Sequence, residues 1–162
     1  TDWCGGKHAT MASRMNVIAE NRSARHDYEI LQTFESGIVL LGHEVKSVKT
    51  RGMNLRGAYV RVTPRAAWLL GGHIAPYPPA GPLPSYDPGR SRKLLLKKRE
   101  LAGLLSRIQQ GLTIVPLKVY TRLGKIKVEI ALARGKKKFE KRAQIKKREA
   151  ERNIRESMKH KA

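Results

Sequence analysis

The stretch Leu112–Arg134, LTIVPLKVYTRLGKIKVEIALAR, constrains the fold more than any other part of the chain. From Ile126 onward, Ile126, Val128, Ile130 and Leu132 fall on one side of an extended chain, and Lys125, Lys127, Glu129 and Ala131 on the other. A period of two belongs to a half-buried strand. Upstream, Leu117, Val119 and Thr121 alternate against Lys118 and Tyr120, and Arg122–Lys125 with Gly124 supply a short turn. The pattern predicts a β-hairpin with one oily and one basic face. An isolated hairpin is marginal in water, so further strands must cover the oily side.

The rest of the chain offers those strands. Tyr28, Ile30 and Phe34 read as one strand, Glu35-Ser36-Gly37 as a turn, and Ile38–Leu41 as a returning buried strand. Leu41, Val45 and Val48 then take helical spacing with Glu44, Lys46 and Lys49 outward, although HEVKSVK also fits a strand. Ala58–Val62 and Ala67–Leu70 form a second hairpin about Thr63-Pro64-Arg65. Residues 75–89, APYPPAGPLPSYDPG, hold six of the eight prolines and read as a surface excursion. Ser91 caps a predicted helix running to about Gln110, with Leu94, Leu95, Leu101, Leu104, Leu105 and Ile108 as its apolar stripe. Its first turn carries Arg90, Arg92 and Lys93, which oppose the helix dipole and favour an RNA-facing role over a merely solvated turn.

Five or six short strands, interrupted by a helix before the last hairpin, give a mainly β fold with flanking helices. The expectation is a small closed Greek-key barrel of the oligonucleotide-binding type over residues 21–134. It follows an N-terminal extension, 1–20, and precedes a basic tail, 135–162. Met11-Ala-Ser reads as a native start, which makes residues 1–10 added or upstream sequence.

Charge narrows the partners. A net charge of +21 and a pI near 10.7 point to an anionic partner, nucleic acid before membrane. The longest purely aliphatic run is Ile38–Leu41, far short of a span. The lone Cys4 excludes an internal disulfide framework, and no secretory leader pattern opens the sequence, which together suggest cytoplasm. In the tail, Phe139, Ala143, Ala150, Ile154 and Met158 would line one side of a helix amid dense positive charge. Ordering it costs about 1–2 kcal/mol per residue. It is therefore expected to lack fixed structure alone and to become helical where phosphates neutralise it, a plain solubilising tail being the alternative.

Enzymatic signatures are sparse. His8, His26, His43, His73 and His160 are scattered, and there is neither a metal-ligand cluster nor a phosphate loop nor a dinucleotide fingerprint. Only His26-Asp27 with Glu44 offers an acid and a base for a phosphodiester, and neighbours on an extended chain point apart.

Several blocks together resemble one family, the SsrA-binding proteins or small protein B: NRSARHDYEI (21–30), FESGIVLLGHEVKSV (34–48), DPGRSRKLLLKKRE (87–100), VPLKVY (115–120) and KVEIALARGKKKFEKR (127–142). The resemblance implies an oligonucleotide-binding-type barrel that binds transfer-messenger RNA; from the residues alone, no cofactor or metal is expected. It also implies delivery of that RNA to the small-subunit decoding centre of stalled ribosomes, with elongation factor Tu on the charged RNA as a further partner. Family positions tied to RNA contact align with Asn21, Glu35 and Leu95, and the basic residues Arg25, His26, Arg90, Arg92 and Lys93 lie in the same blocks. Leu95 has helix core as its alternative role, and Glu35 a turn. The family's tail enters the decoding centre and messenger path, a role the resemblance carries to Arg134, Lys136, Lys137, Phe139, Lys141 and Arg142. Phe139 would stack on a ribosomal base or clip back onto the barrel. Departures are His43 for the family's threonine, Gly57-Ala58 for Asp-Ser, and Lys147 and Ala150 in the distal tail.

Three readings follow: a non-enzymatic transfer-messenger RNA adaptor, a generic basic RNA-binding protein, and a small ribonuclease using His26 and Glu44. The first accommodates the ordered set of motifs.

Overall fold

The computed structural model describes residues 15–159, the side chains of Lys138 and Phe139 excepted. The expectations for residues 1–14, including a start at Met11, lie outside the described residues.

Seven antiparallel strands make one sheet: β1 (Asn16–Glu20), β2 (Tyr28–Ile38), β3 (Tyr59–Val62), β4 (Ala67–Leu70), β5 (Arg92–Leu95), β6 (Thr113–Arg122) and β7 (Lys125–Gly135). Their order is β1-β6-β3-β4-β5-β2-β7, and β6 also pairs with β7. Six strands therefore close a ring, with β1 added on the distal half of β6. Among the described residues four α-helices flank it: α1 (Arg22–Asp27), α2 (Gly42–Arg51), α3 (Lys98–Gln109) and α4 (Lys138–Lys159). This is the mainly β, barrel-like architecture that the alternating segments predict.

The interior follows from pleating. Val60, Val62, Ala67, Leu69, Leu94, Ile114, Val119, Val128, Ile130 and Leu132 point inward, joined by Val48 from α2 and by Leu101 and Leu104 from α3. A smaller cluster sits outside the barrel, where Ala24 of α1 covers Val115, Leu117, Ala131 and Ala133. The outer face of the hairpin is thus basic toward its tip and apolar at its base. Leu123 and Gly124 join its strands, both with positive φ (51° and 75°). That is the two-residue turn whose twist matches antiparallel strands.

Register shifts change several expectations. Pro116 pairs with Ile130 but Lys118 pairs with Glu129, so Leu117 is an extra residue. The bulge sends Leu117 to the outer cluster and Val119 to the core, not to one shared face. Strand β2 runs on through Glu35-Ser36-Gly37, where a turn is predicted, because β7 pairs with it from Tyr28 to Gly37, past a register shift at Leu31. The predicted helix 91–110 begins only at Lys98. Residues 92–95 are instead drawn into β5, where they bridge β4 and β2 and complete the ring. Strand β1 lies within the expected extension 1–20. Glu44, predicted outward, is fully buried. Residues 138–159 form a helix where no fixed structure is expected, supported by the Glu140 carboxylate accepting from the Lys137 N–H at 3.0 Å.

Candidate nucleic-acid interface

Asn21 is the first predicted site residue along the chain, and it is 5% exposed. Its Oδ1 accepts from the Ala24 N–H (3.2 Å) and the Ser23 hydroxyl (2.8 Å), capping α1. Its Nδ2 donates to the Pro116 carbonyl (3.1 Å), and its backbone N–H to the Leu117 carbonyl (2.7 Å). The bulge in β6 presents those two carbonyls, and Asn21 fastens α1 to them. The side chain expected to read RNA is therefore internally occupied. Arg25 beyond it is exposed, and His26 Nδ1 lies 3.2 Å from Asp27 Oδ1. They meet because the segment is helical rather than extended.

Glu35 stands on the outer face of β2 with its side chain 34% exposed. Its carboxylate accepts from the Tyr120 hydroxyl, the Lys127 ammonium and Arg122 Nη1 (3.3 Å). Hydrogen bonds from Lys127 and Tyr120 hold its pKa at about 2. Burial, then the same carboxylate, push the Tyr120 phenol upward. Strand register places Leu95, Gly37, Lys127 and Tyr120 side by side across β5, β2, β7 and β6. Leu95 is 55% exposed and lies against the Gly37 backbone, where an added Cβ would come within 3.3 Å of it. A groove of about 310 Å³ opens here, bordered by Ile38, Val45, Leu95, Lys125 and Lys127. The result is an exposed aliphatic side chain beside ordered cations. Tyr120, Arg122 and Lys127 were not expected at the site. The outward alternation of Lys125 and Lys127 was visible, but not their pairing with Glu35.

Arg90, Arg92 and Lys93 divide. Lys93 is exposed on β5. Arg92 is wholly buried and all its N–H groups are engaged, by Glu44, Gly72 O, Arg90 O and Pro88 O. Pleating turns its side chain inward, so the expectation that it faces RNA is overturned. Arg90, 30% exposed, grips both Glu44 oxygens at 3.0 and 2.6 Å. Burial drives the Glu44 carboxyl upward, but hydrogen bonds from Arg90, the Leu41 N–H and Arg92 outweigh it and leave the pKa at about 2. Tyr86 adds its hydroxyl, which ties residues 75–89 to this cluster. Glu44 is consequently sealed from any phosphodiester.

The tail leaves the barrel beside α1. Arg134, Lys137 and Arg142 are exposed. Lys136 Nζ donates to the Arg25 carbonyl (3.2 Å) and Gln144 Oε1 (2.8 Å), and Lys141 pairs with Asp27 at 3.2 Å. The Phe139 side chain lies outside the described residues. Beyond Gln144 the helix is exposed throughout its described length.

The model of the SmpB protein family matches residues 18–160. The chain belongs to the SmpB family. It is 49% identical over 147 residues to the SsrA-binding protein of Roseiflexus castenholzii, covering 90% of this chain and 93% of that one. Against the SsrA-binding protein of Streptococcus mutans it is 50% identical over 145 residues, 89% and 93% of the two chains. A chain of the solved structure "tmRNA-SmpB: a journey to the center of the bacterial ribosome" superposes with TM-score 0.61 at 48% identity. That match covers 74% of this chain and 85% of the other.

Proposed function

We propose that the protein is an RNA-binding adaptor that binds transfer-messenger RNA and carries it to stalled ribosomes for trans-translation in the bacterial cytoplasm. The observation that carries this reading is the exposed Leu95 set among ordered cations on the outer face of β5, β2 and β7. An unstacked base finds an apolar contact there, and Lys93, Lys125, Lys127 and Arg122 offer donors to phosphates, a combination suited to looped RNA. Glu35 orders Lys127 and Arg122, and one free lone pair on Oε1 is left for a base amino group. Arg25 and His26 on α1 add a basic patch at the opposite end of β2, and Arg90 adds charge where it covers Glu44. Asn21 acts through α1 rather than by touching RNA.

The tail residues Arg134, Lys136, Lys137, Phe139, Lys141 and Arg142 serve the decoding centre, and elongation factor Tu rides on the charged RNA. No chemistry is assigned to the protein itself: the ribonuclease reading needs a free Glu44, which two guanidinium groups occupy. Among the described residues no helix is long and apolar enough to cross a membrane.

Filter-binding titration of the full chain against transfer-messenger RNA and bulk transfer RNA tests the proposal. The adaptor prefers the former strongly, and its affinity falls with salt by a log–log slope of about 0.7 per single-strand phosphate neutralised. Equal affinity for both RNAs would leave only a generic basic RNA-binding protein.

A further inference from the structure

Strands β3 and β4 carry an outward surface that the interface above does not use, and Lys93 of β5 borders both. Register sets Arg61, Trp68 and Lys93 side by side in one row across the three strands. Their neighbours Val60, Val62, Ala67, Leu69, Arg92 and Leu94 are all buried, so the outward alternation is unambiguous. Trp68 is 37% and Tyr59 49% exposed, and Arg61 and Lys93 are exposed on either side of the indole. The three strands, YVRV, AWLL and RKLL, contain no acidic residue.

We infer that this row is a second RNA-contact surface, on which Trp68 stacks an unpaired base while Arg61 and Lys93 take the flanking phosphates of the same transfer-messenger RNA. An indole between two cations suits a nucleotide: the ring supplies a sequence-tolerant stacking face, the cations neutralise the backbone. Only a base already splayed from its helix reaches such a face. Continuity selects the RNA, because Lys93 and Leu95 share the outer side of β5 and join this row to the Leu95 groove. The inference rests on the proposed function above and extends its contact surface around the barrel.

The test uses the full chain with Trp3→Phe, which leaves Trp68 as the one tryptophan of the two. Titration with transfer-messenger RNA quenches Trp68 fluorescence. Trp68→Ala weakens binding roughly tenfold, as expected for one lost stack, and Trp68→Phe recovers most of it. Arg61→Gln, outside the Leu95 groove, lowers the salt slope. Circular dichroism and Tm of each variant separate folding from contact, the phenylalanine variant being the one that keeps a ring on the strand. Tight RNA binding with no quenching and no loss in a folded Trp68→Ala variant overturns the inference while leaving the proposed function standing. Failure of the unaltered chain to bind overturns both. A Trp68→Ala defect confined to ribosome association assigns the surface to ribosomal RNA and overturns the inference as stated.

Discussion

Arg92 Nη2 lies 2.8 Å from Glu44 Oε1 with both side chains entirely out of solvent. The pair joins α2 to β5 inside the fold, and Arg90 closes over it from the rim. Removing one partner of a buried ion pair leaves the other uncompensated, at a cost of about 3–5 kcal/mol. Glu44→Gln is therefore expected to lower the Tm by roughly 10 °C or more for a chain of this size. Thermal unfolding followed by circular dichroism measures this.

Acid should weaken the fold through the same carboxylate. Glu44 drops from its ordinary 4.5 to about 2 on folding, and Glu35 does likewise. A depressed carboxylate stabilises the native state above its unfolded pKa, and that contribution fades as pH falls from 4.5 toward 2. For Glu44 it amounts to roughly 3 kcal/mol. Urea unfolding across this window should show stability falling with pH, and a shallower fall in Glu44→Gln.

Asn21→Ala removes the cap of α1 and its tie to the β6 bulge together. Loss of a cap costs about 1–2 kcal/mol, so the Tm should drop by a few degrees and RNA affinity should fall with it. An unchanged Tm with weakened binding would mean that Asn21 touches the RNA itself.

At the hairpin tip, Leu123 holds a positive φ that asparagine tolerates better. Leu123→Asn should raise stability by a few tenths of a kcal/mol to about 1 kcal/mol, seen as a higher urea midpoint with an unchanged slope.

Segments that alternate cleanly were legible in the sequence. Lys125–Arg134 and the β3–β4 hairpin display a period of two, and the structure pairs them as read. Strand β5 was not legible, because RKLL follows with LKKRE into an uninterrupted helical stripe, and its inward Arg92 breaks the oily-in, polar-out rule. Its partner Glu44, 48 positions away, cannot be seen from local pattern. The bulge at Leu117 likewise depends on cross-strand register, which alternation within one strand does not reveal. At the candidate interface, Leu95 and Glu35 were named from family blocks alone. The cations that Glu35 organises come from β6 and β7, so only the closed ring brings them together. Tail helix α4 shows the opposite balance: its apolar stripe was visible, while the anchoring of Lys136 and Lys141 to α1 required the fold.

The central claim is a division of labour, with RNA held by the barrel and the ribosome engaged by the tail. Titrating transfer-messenger RNA against the full chain and a chain ending at Gly135 tests it most directly, with a stalled-ribosome rescue assay on both. The account predicts closely similar RNA affinity for the two and rescue only by the full chain. Collapse of RNA affinity in the shortened chain, or rescue without the tail, would contradict it.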